Sequence, residues 1–131
     1  MMKVTMLEHV NLRTTNIERL EEWYMQILGL KKGYRPPFAS EGRWLYISDD
    51  YPAVHLLKVA EQPPPPDPQV EHFCMRATGL KTFLERLDSE NISYRTVRVP
   101  ELRICQVSLF DPDGNRMHID FPPEEADSLG L

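Results

Sequence analysis

Three things are scarce in this chain: long apolar runs, clustered basic residues and cysteine. No hydrophobic stretch in the 131 residues approaches the roughly 20 needed for a membrane-crossing helix, so no membrane partner is expected. The opening M-M-K-V-T-M-L-E-H also lacks the apolar core of a secretory leader, which predicts a cytoplasmic location. Lys and Arg number 15 against 20 Asp and Glu, and the net charge of −5 is spread over interspersed signs. Phosphate backbones and anionic lipid require clustered cations, so nucleic acid is excluded as a partner. The two cysteines, Cys74 and Cys105, both fall in strand-like apolar runs and are expected to be small buried hydrophobes rather than a bridge.

What the chain does have is four histidines in two matched pairs. His9 and His72 are 63 apart (72 − 9), and so are His55 and His118 (118 − 55). The same offset lays L-E-H-V-N-L-R-T-T, from Leu7, over V-E-H-F-C-M-R-A-T, from Val70, and places Arg35 over Arg98 and Pro37 over Pro100. A fixed offset that carries Glu, His, Arg and Thr in step is the mark of an internal duplication.

Each copy reads as strand, helix and three strands, an α+β arrangement. In the first, residues 6–13 alternate, with Leu7, His9, Asn11 and Arg13 on one side. Thr15 and Glu18 form a capping-box pattern, and Ile17, Leu20, Tyr24, Ile27 and Leu28 recur at helical spacing until Gly29. Strands are predicted over residues 31–35, 43–48 and 53–59. The second copy repeats the order: strand 70–77, helix 78–91, then strands 94–99, 104–110 and 116–121. D-P-D-G-N joins the last two strands, with Pro112 presetting the turn and Gly114 free to take positive φ. Two modules are therefore expected, 1–59 and 70–122, with a tail at 123–131. Residues 60–69 hold four successive prolines, Pro63 to Pro66, which suit a stiff linker in polyproline II and would also suit an SH3 or WW domain.

Strand parity puts Arg116, His118 and Asp120 on one side of the last strand, and His55 with Ala53 and Leu57 in the corresponding strand of the first copy. If the sheets curl around a common hollow, all four imidazoles can point into it. Neutral imidazole is the commonest side-chain donor to transition metals, so His9, His55, His72 and His118 are candidate metal ligands. A single histidine at such a position would ordinarily be a hydrogen-bonded core residue; four in a repeated register favour ligation. Arg13 and Arg76 could grip an anionic substrate, or pair with acids at exposed strand ends. Trp44 and Tyr46, with Tyr34, Phe38 and Tyr51, could line an aromatic-walled pocket, although several must serve the core.

The duplicated β-α-β-β-β order, E-H-V-N-L, V-H-L-L from Val54, E-H-F-C-M-R and D-P-D-G-N-R-M-H-I-D-F together resemble the vicinal oxygen chelate superfamily. That group includes glyoxalase I, methylmalonyl-CoA epimerase, extradiol dioxygenases and the fosfomycin- and bleomycin-resistance proteins. The resemblance implies curved sheets or a half-open barrel around a cavity, a homodimer, and one divalent metal that chelates neighbouring oxygens of a small-molecule substrate. The implied chemistry is that of a lyase, an isomerase or a dioxygenase; the alternative is a binding protein that sequesters a small molecule. The family's ligand positions fall on His9, His55, His72 and His118, but the last normally carries glutamate. Losing that carboxylate shifts preference from Mg²⁺ or Mn²⁺ toward Zn²⁺, Ni²⁺, Fe²⁺ or Cu²⁺, with Mn²⁺ still admissible, and leaves Asp120 as the acid available for proton transfer.

Overall fold

A computed structural model describes residues 1–62 and 70–131, and the Pro63 to Pro66 spacer lies outside the described residues. The chain divides into two compact units, Met1–Pro64 and Pro65–Leu131. The first contains β1 (Val10–Thr14), α1 (Ile17–Leu28), β2 (Lys31–Gly33), β3 (Gly42–Tyr46) and β4 (Val54–Lys58). The second contains β5 (Phe73–Arg76), α2 (Leu80–Ser89), β6 (Tyr94–Val99), a 3₁₀ turn at Pro100–Leu102, β7 (Ile104–Phe110), β8 (Arg116–Phe121) and α3 (Pro123–Asp127). Each unit forms one four-stranded mixed sheet, in the order β1-β4-β3-β2 and β5-β8-β7-β6. The fold is α+β, and neither sheet closes into a barrel.

The order follows from the helix. It carries the chain across one face of the sheet, so the last strand of each unit returns parallel beside the first while the middle pairs run antiparallel. In the first unit Ile17, Leu20, Tyr24 and Ile27 of α1 are buried, as are Leu12, Leu45, Val54 and Leu56 of the sheet. Burying side chains of this size stabilises by about 1.5–3 kcal/mol each, which ties the helix to that face. Glu21 of α1 adds an ion pair to Arg43 of β3 at 3.1 Å. In the second unit Met117, Ile119 and Phe121 of β8 and Cys105, Val107 and Leu109 of β7 form the buried face, and Phe83 of α2 rests on Phe121 with ring centroids 5.6 Å apart.

The structure corrects several expected boundaries. The first strands begin at Val10 and Phe73 rather than at residues 6 and 70, because each has a single neighbour and the ladder starts at Val10↔Val54 and Phe73↔Met117. His9 and His72 therefore stand one residue ahead of their strands. The cap of α1 is Asn16, whose side chain accepts from the Arg19 N–H, rather than Thr15; Thr14 Oγ1 in turn accepts from the Asn16 N–H. Strand β2 stops at Gly33, where a Cβ would lie 2.5 Å from the Tyr46 ring. Cys74 is exposed, not buried, while Cys105 is buried, and both are free thiols.

The residues after β8 brace the second unit. Helix α2 starts at Gly79 with no cap from its own segment, and Glu125 of α3 accepts from the Gly79 and Leu80 N–H groups at 2.8 and 2.6 Å. A carboxylate on the orphan donors of a helix start also matches the helix dipole. Arg98 of β6 reaches the same segment, bonding Asp127 and the Leu131 carbonyl.

Candidate metal centre

Register places the histidines. His55 lies opposite Asn11 on β1 and Trp44 on β3; His118 lies opposite Cys74 on β5 and Ser108 on β7. The 63-residue offset holds between β1 and β5 (74 − 11) but slips to 64 between β3 and β7 (108 − 44). The Arg35 and Arg98 match is lost across that slip, with Arg35 in the loop after β2 and Arg98 within β6. The consequence at the site is that Trp44 of the first unit is replaced by the small Ser108 in the second.

Each unit brings its own two histidines together on the sheet face opposite its helix. His9 and His55 stack with centroids 4.0 Å apart and planes 8° apart; His72 and His118 stack at 4.1 Å and 20°. Trp44 covers the other face of His55 at 4.2 Å and 13°. Among the described residues no group of three or more His, Cys, Asp or Glu is gathered to hold an ion, so the rings stand as two pairs.

The chemistry of these rings fits a metal nonetheless. His55 Nε2 lies 3.0 Å from the Pro52 carbonyl, which can only accept, so the proton sits on Nε2 and Nδ1 carries a free lone pair. His9 Nδ1 lies 3.3 Å from Glu8 Oε1, the carboxylate–histidine pairing that fixes a ligand's tautomer and leaves Nε2 for an ion. Glu71 repeats this beside His72 at 3.6 Å and also pairs with Arg116. His118 is 9% exposed, and its Nε2 is buried without a hydrogen-bond partner among the described residues. As stacked, however, two parallel rings cannot share one ion at ~2.0–2.1 Å, because lone pairs lie in the ring planes. One ring of each pair must turn, and His9 and His72, with side chains 40% and 36% exposed, have the room.

Burial, then the neighbouring imidazole, lowers the pKa of both His55 and His118 below the ordinary 6.5. Both are neutral donors at pH 7. Because the unfolded chain takes up these protons first, stability is present above about pH 6.5 and is lost as pH falls toward the lowered native values. Metal-free protein should melt progressively lower between pH 7 and pH 5, and a His118→Leu chain should show a shallower slope. An unchanged slope in that variant would remove His118 as its source.

The remaining candidates separate. Asp120 lies on the His118 face and accepts from Gln106 Nε2 at 3.0 Å, and Arg76 is its register partner. Both line a cleft of about 350 Å³ with Leu102, Arg103, Ile104 and Phe121. Partial desolvation and the Asp120 carboxylate push the Cys74 thiol up to about 12, so it is protonated in the metal-free protein. Arg13 is exposed on β1. Tyr46 spends its hydroxyl on the Tyr34 carbonyl at 2.5 Å, and Tyr51 donates to the Leu7 carbonyl at 3.0 Å. Trp44 is occupied by His55. Parity of β7, with Cys105, Val107 and Leu109 buried, adds Gln106 and Ser108 to the histidine face, two polar residues that the histidine pattern alone does not mark.

The duplicated β-α-β-β-β architecture, with paired histidines on the helix-free face of each sheet, defines the fold class. The pattern of the Glyoxalase/Bleomycin resistance protein/Dioxygenase superfamily matches residues 6–119, and the chain belongs to that family. No curated protein matches. Among solved structures, a glyoxylase/bleomycin resistance protein/dioxygenase domain from Frankia sp. EAN1pec aligns with TM-score 0.75 at 16% identity, over 92% of this chain and 93% of that one. A mutant of the fosfomycin resistance protein FosX from Listeria monocytogenes, complexed with Mn(II) and a dihydroxypropylphosphonic acid, aligns with TM-score 0.70 at 10% identity, over 95% and 98%. TnmS3, an antibiotic binding protein from Streptomyces sp. CB03234, aligns with TM-score 0.65 at 19% identity, over 93% and 99%. At these identities the likeness establishes the fold alone. No helix among the described residues is long and apolar enough to cross a membrane.

Proposed function

We propose that the chain is a metal-dependent enzyme of the glyoxalase or dioxygenase kind, with His9, His55, His72 and His118 as metal ligands and one divalent transition metal per site, Zn²⁺, Ni²⁺, Fe²⁺ or Mn²⁺. The observation that carries this is His118: a buried nitrogen without a partner costs about 1–3 kcal/mol, and a bound ion recovers it. The bound metal would supply two-point attachment for neighbouring substrate oxygens and Lewis-acid polarisation. Asp120, oriented by Gln106, is the carboxylate available to take a substrate proton, and Arg76 and Arg13 are available to hold an anionic substituent.

With no carboxylate among the four ligands, the site favours nitrogen-loving ions. His118→Glu should retain a divalent metal but move its preference toward Mn²⁺ and Mg²⁺, as read by competitive metal binding; loss of all binding would show that position 118 is not a ligand. Elemental analysis of protein purified without chelator or a nickel column tests the reading itself. The proposal expects about one transition metal per chain, and turnover of a vicinal-dioxygen substrate that chelator abolishes.

A second reading, sequestration of a small molecule as TnmS3 binds an antibiotic, is favoured by the exposed ring of Phe38 beside Trp44. Ligand binding that survives chelator and histidine substitution would select it. We also infer a cytoplasmic homodimer, because each histidine-bearing sheet face carries no helix; light scattering should give twice 15.3 kDa.

A further inference from the structure

We propose that Trp44 is a positioning residue for the metal, fixing the ring plane of His55 so that its Nδ1 lone pair stays aimed at the ion. The inference rests on the metal reading above and goes beyond it to a residue that touches neither metal nor substrate. An imidazole donates only along its ring plane, so a ligand ring free to turn loses its aim. His55 is held at two places. The Pro52 carbonyl accepts a hydrogen bond from Nε2–H at one edge, and the indole of Trp44 lies flat against one face at 4.2 Å and 13°.

The support behind Trp44 is continuous. Phe38 packs against the indole with centroids 6.3 Å apart, and the Arg35 guanidinium lies 4.9 Å over the Phe38 ring. Arg35 is in turn fixed by two bonds to Ser40, at 2.9 Å to its carbonyl and 3.3 Å to its hydroxyl. The loop after β2 thus ends in a column of rings, Phe38, Trp44 and His55, with the more exposed His9 as its outer member. Among the described residues the second unit has no such column. Its His118 faces Ser108 across the ladder and is held by burial at 9% exposure, whereas His55 is only half-buried. Stacking does for His55 what burial does for His118. His55 and His118 are thus each held, one by stacking and one by burial, while their ring partners His9 and His72 have side chains 40% and 36% exposed.

The test uses full-length protein with Trp23→Phe, so that Trp44 is the sole emitter, titrated with Ni²⁺, whose open d shell quenches an indole a few ångströms away. Saturable quenching is expected, with the midpoint found by equilibrium dialysis, and His55→Ala should abolish it. Dialysis of Trp44→Leu should show about tenfold weaker Ni²⁺ binding, the loss typical of removing a ligand's support. Trp44→Phe, which keeps a flat ring, should bind within about twofold of the parent. If His55→Ala loses the ion while a folded Trp44→Leu binds it with parental affinity, the positioning role is wrong and the metal reading stands. If His55→Ala binds as its parent does, the metal reading fails and takes this inference with it. Should Trp44→Leu not fold, absence of quenching in the protein that retains Trp44 overturns the proposal.

Discussion

Replacing His118 with leucine should raise the melting temperature of metal-free protein while lowering metal affinity by at least tenfold, the lower bound for losing even a ligand's supporting partner. The two effects have one origin. His118 sits within β8 at 9% exposure with an unbonded Nε2, and burial already disfavours its proton. Leucine is close in volume and removes a polar atom whose isolation costs about 1–3 kcal/mol, so the fold gains what the site loses. A core histidine kept for packing would behave oppositely. Thermal melts in chelator, with equilibrium dialysis beside them, read both signs; a destabilised variant that still binds metal would mark His118 as structural.

The largest loss of stability should come from Asp111→Ala. Asp111 is 4% exposed, and its carboxylate closes the β7–β8 turn by accepting from the Asp113 N–H, the Asn115 N–H and Asn115 Nδ2 at 2.9, 2.9 and 2.8 Å. Alanine strands two backbone donors in the turn that sets the register of the His118 strand. A loss of about 3 kcal/mol is expected, which for a chain of this size lowers melting by roughly 10 °C. Asp111→Asn, which keeps one acceptor, should fall between. A change below about 1 kcal/mol would mean that Pro112 and Gly114 hold the turn without the carboxylate.

That turn shows how far the sequence could be read. Pro112 and Gly114 were legible as turn residues, and Gly114 has the expected positive φ of 83°. The part played by Asp111 was not legible, because an acid before a proline looks the same whether it caps its own loop or faces water. Strands β6, β7 and β8 match their alternation residue for residue: β7 and β8 each have a neighbour on both sides and a buried face, and β6, itself an edge strand, pairs with β7 along its whole length. The same alternation overstates the length of β1 and β5. Alternation continues into the segment before Val10, but an edge strand is only as long as its one neighbour.

The site was legible in the same uneven way. Duplication and parity singled out the four histidines and the face that carries His55 and His118. Neither could reveal that the rings stack in pairs, because parity sets the side of a sheet and not the rotamer. The role of Trp44 was hidden by a one-residue slip that puts it opposite His55 while the second unit offers Ser108. Glu125 was invisible for a different reason: its partner Gly79 is 46 residues away, and nothing local to either marks the contact.

Equilibrium dialysis of the four single variants His9→Ala, His55→Ala, His72→Ala and His118→Ala against Zn²⁺ or Ni²⁺ tests the central claim most directly. Each is expected to lose at least tenfold in affinity while remaining folded by circular dichroism, with His118→Ala, at the buried unpartnered nitrogen, among the weakest. Four folded variants that all retain the metal with parental affinity would contradict the assignment of these histidines as its ligands.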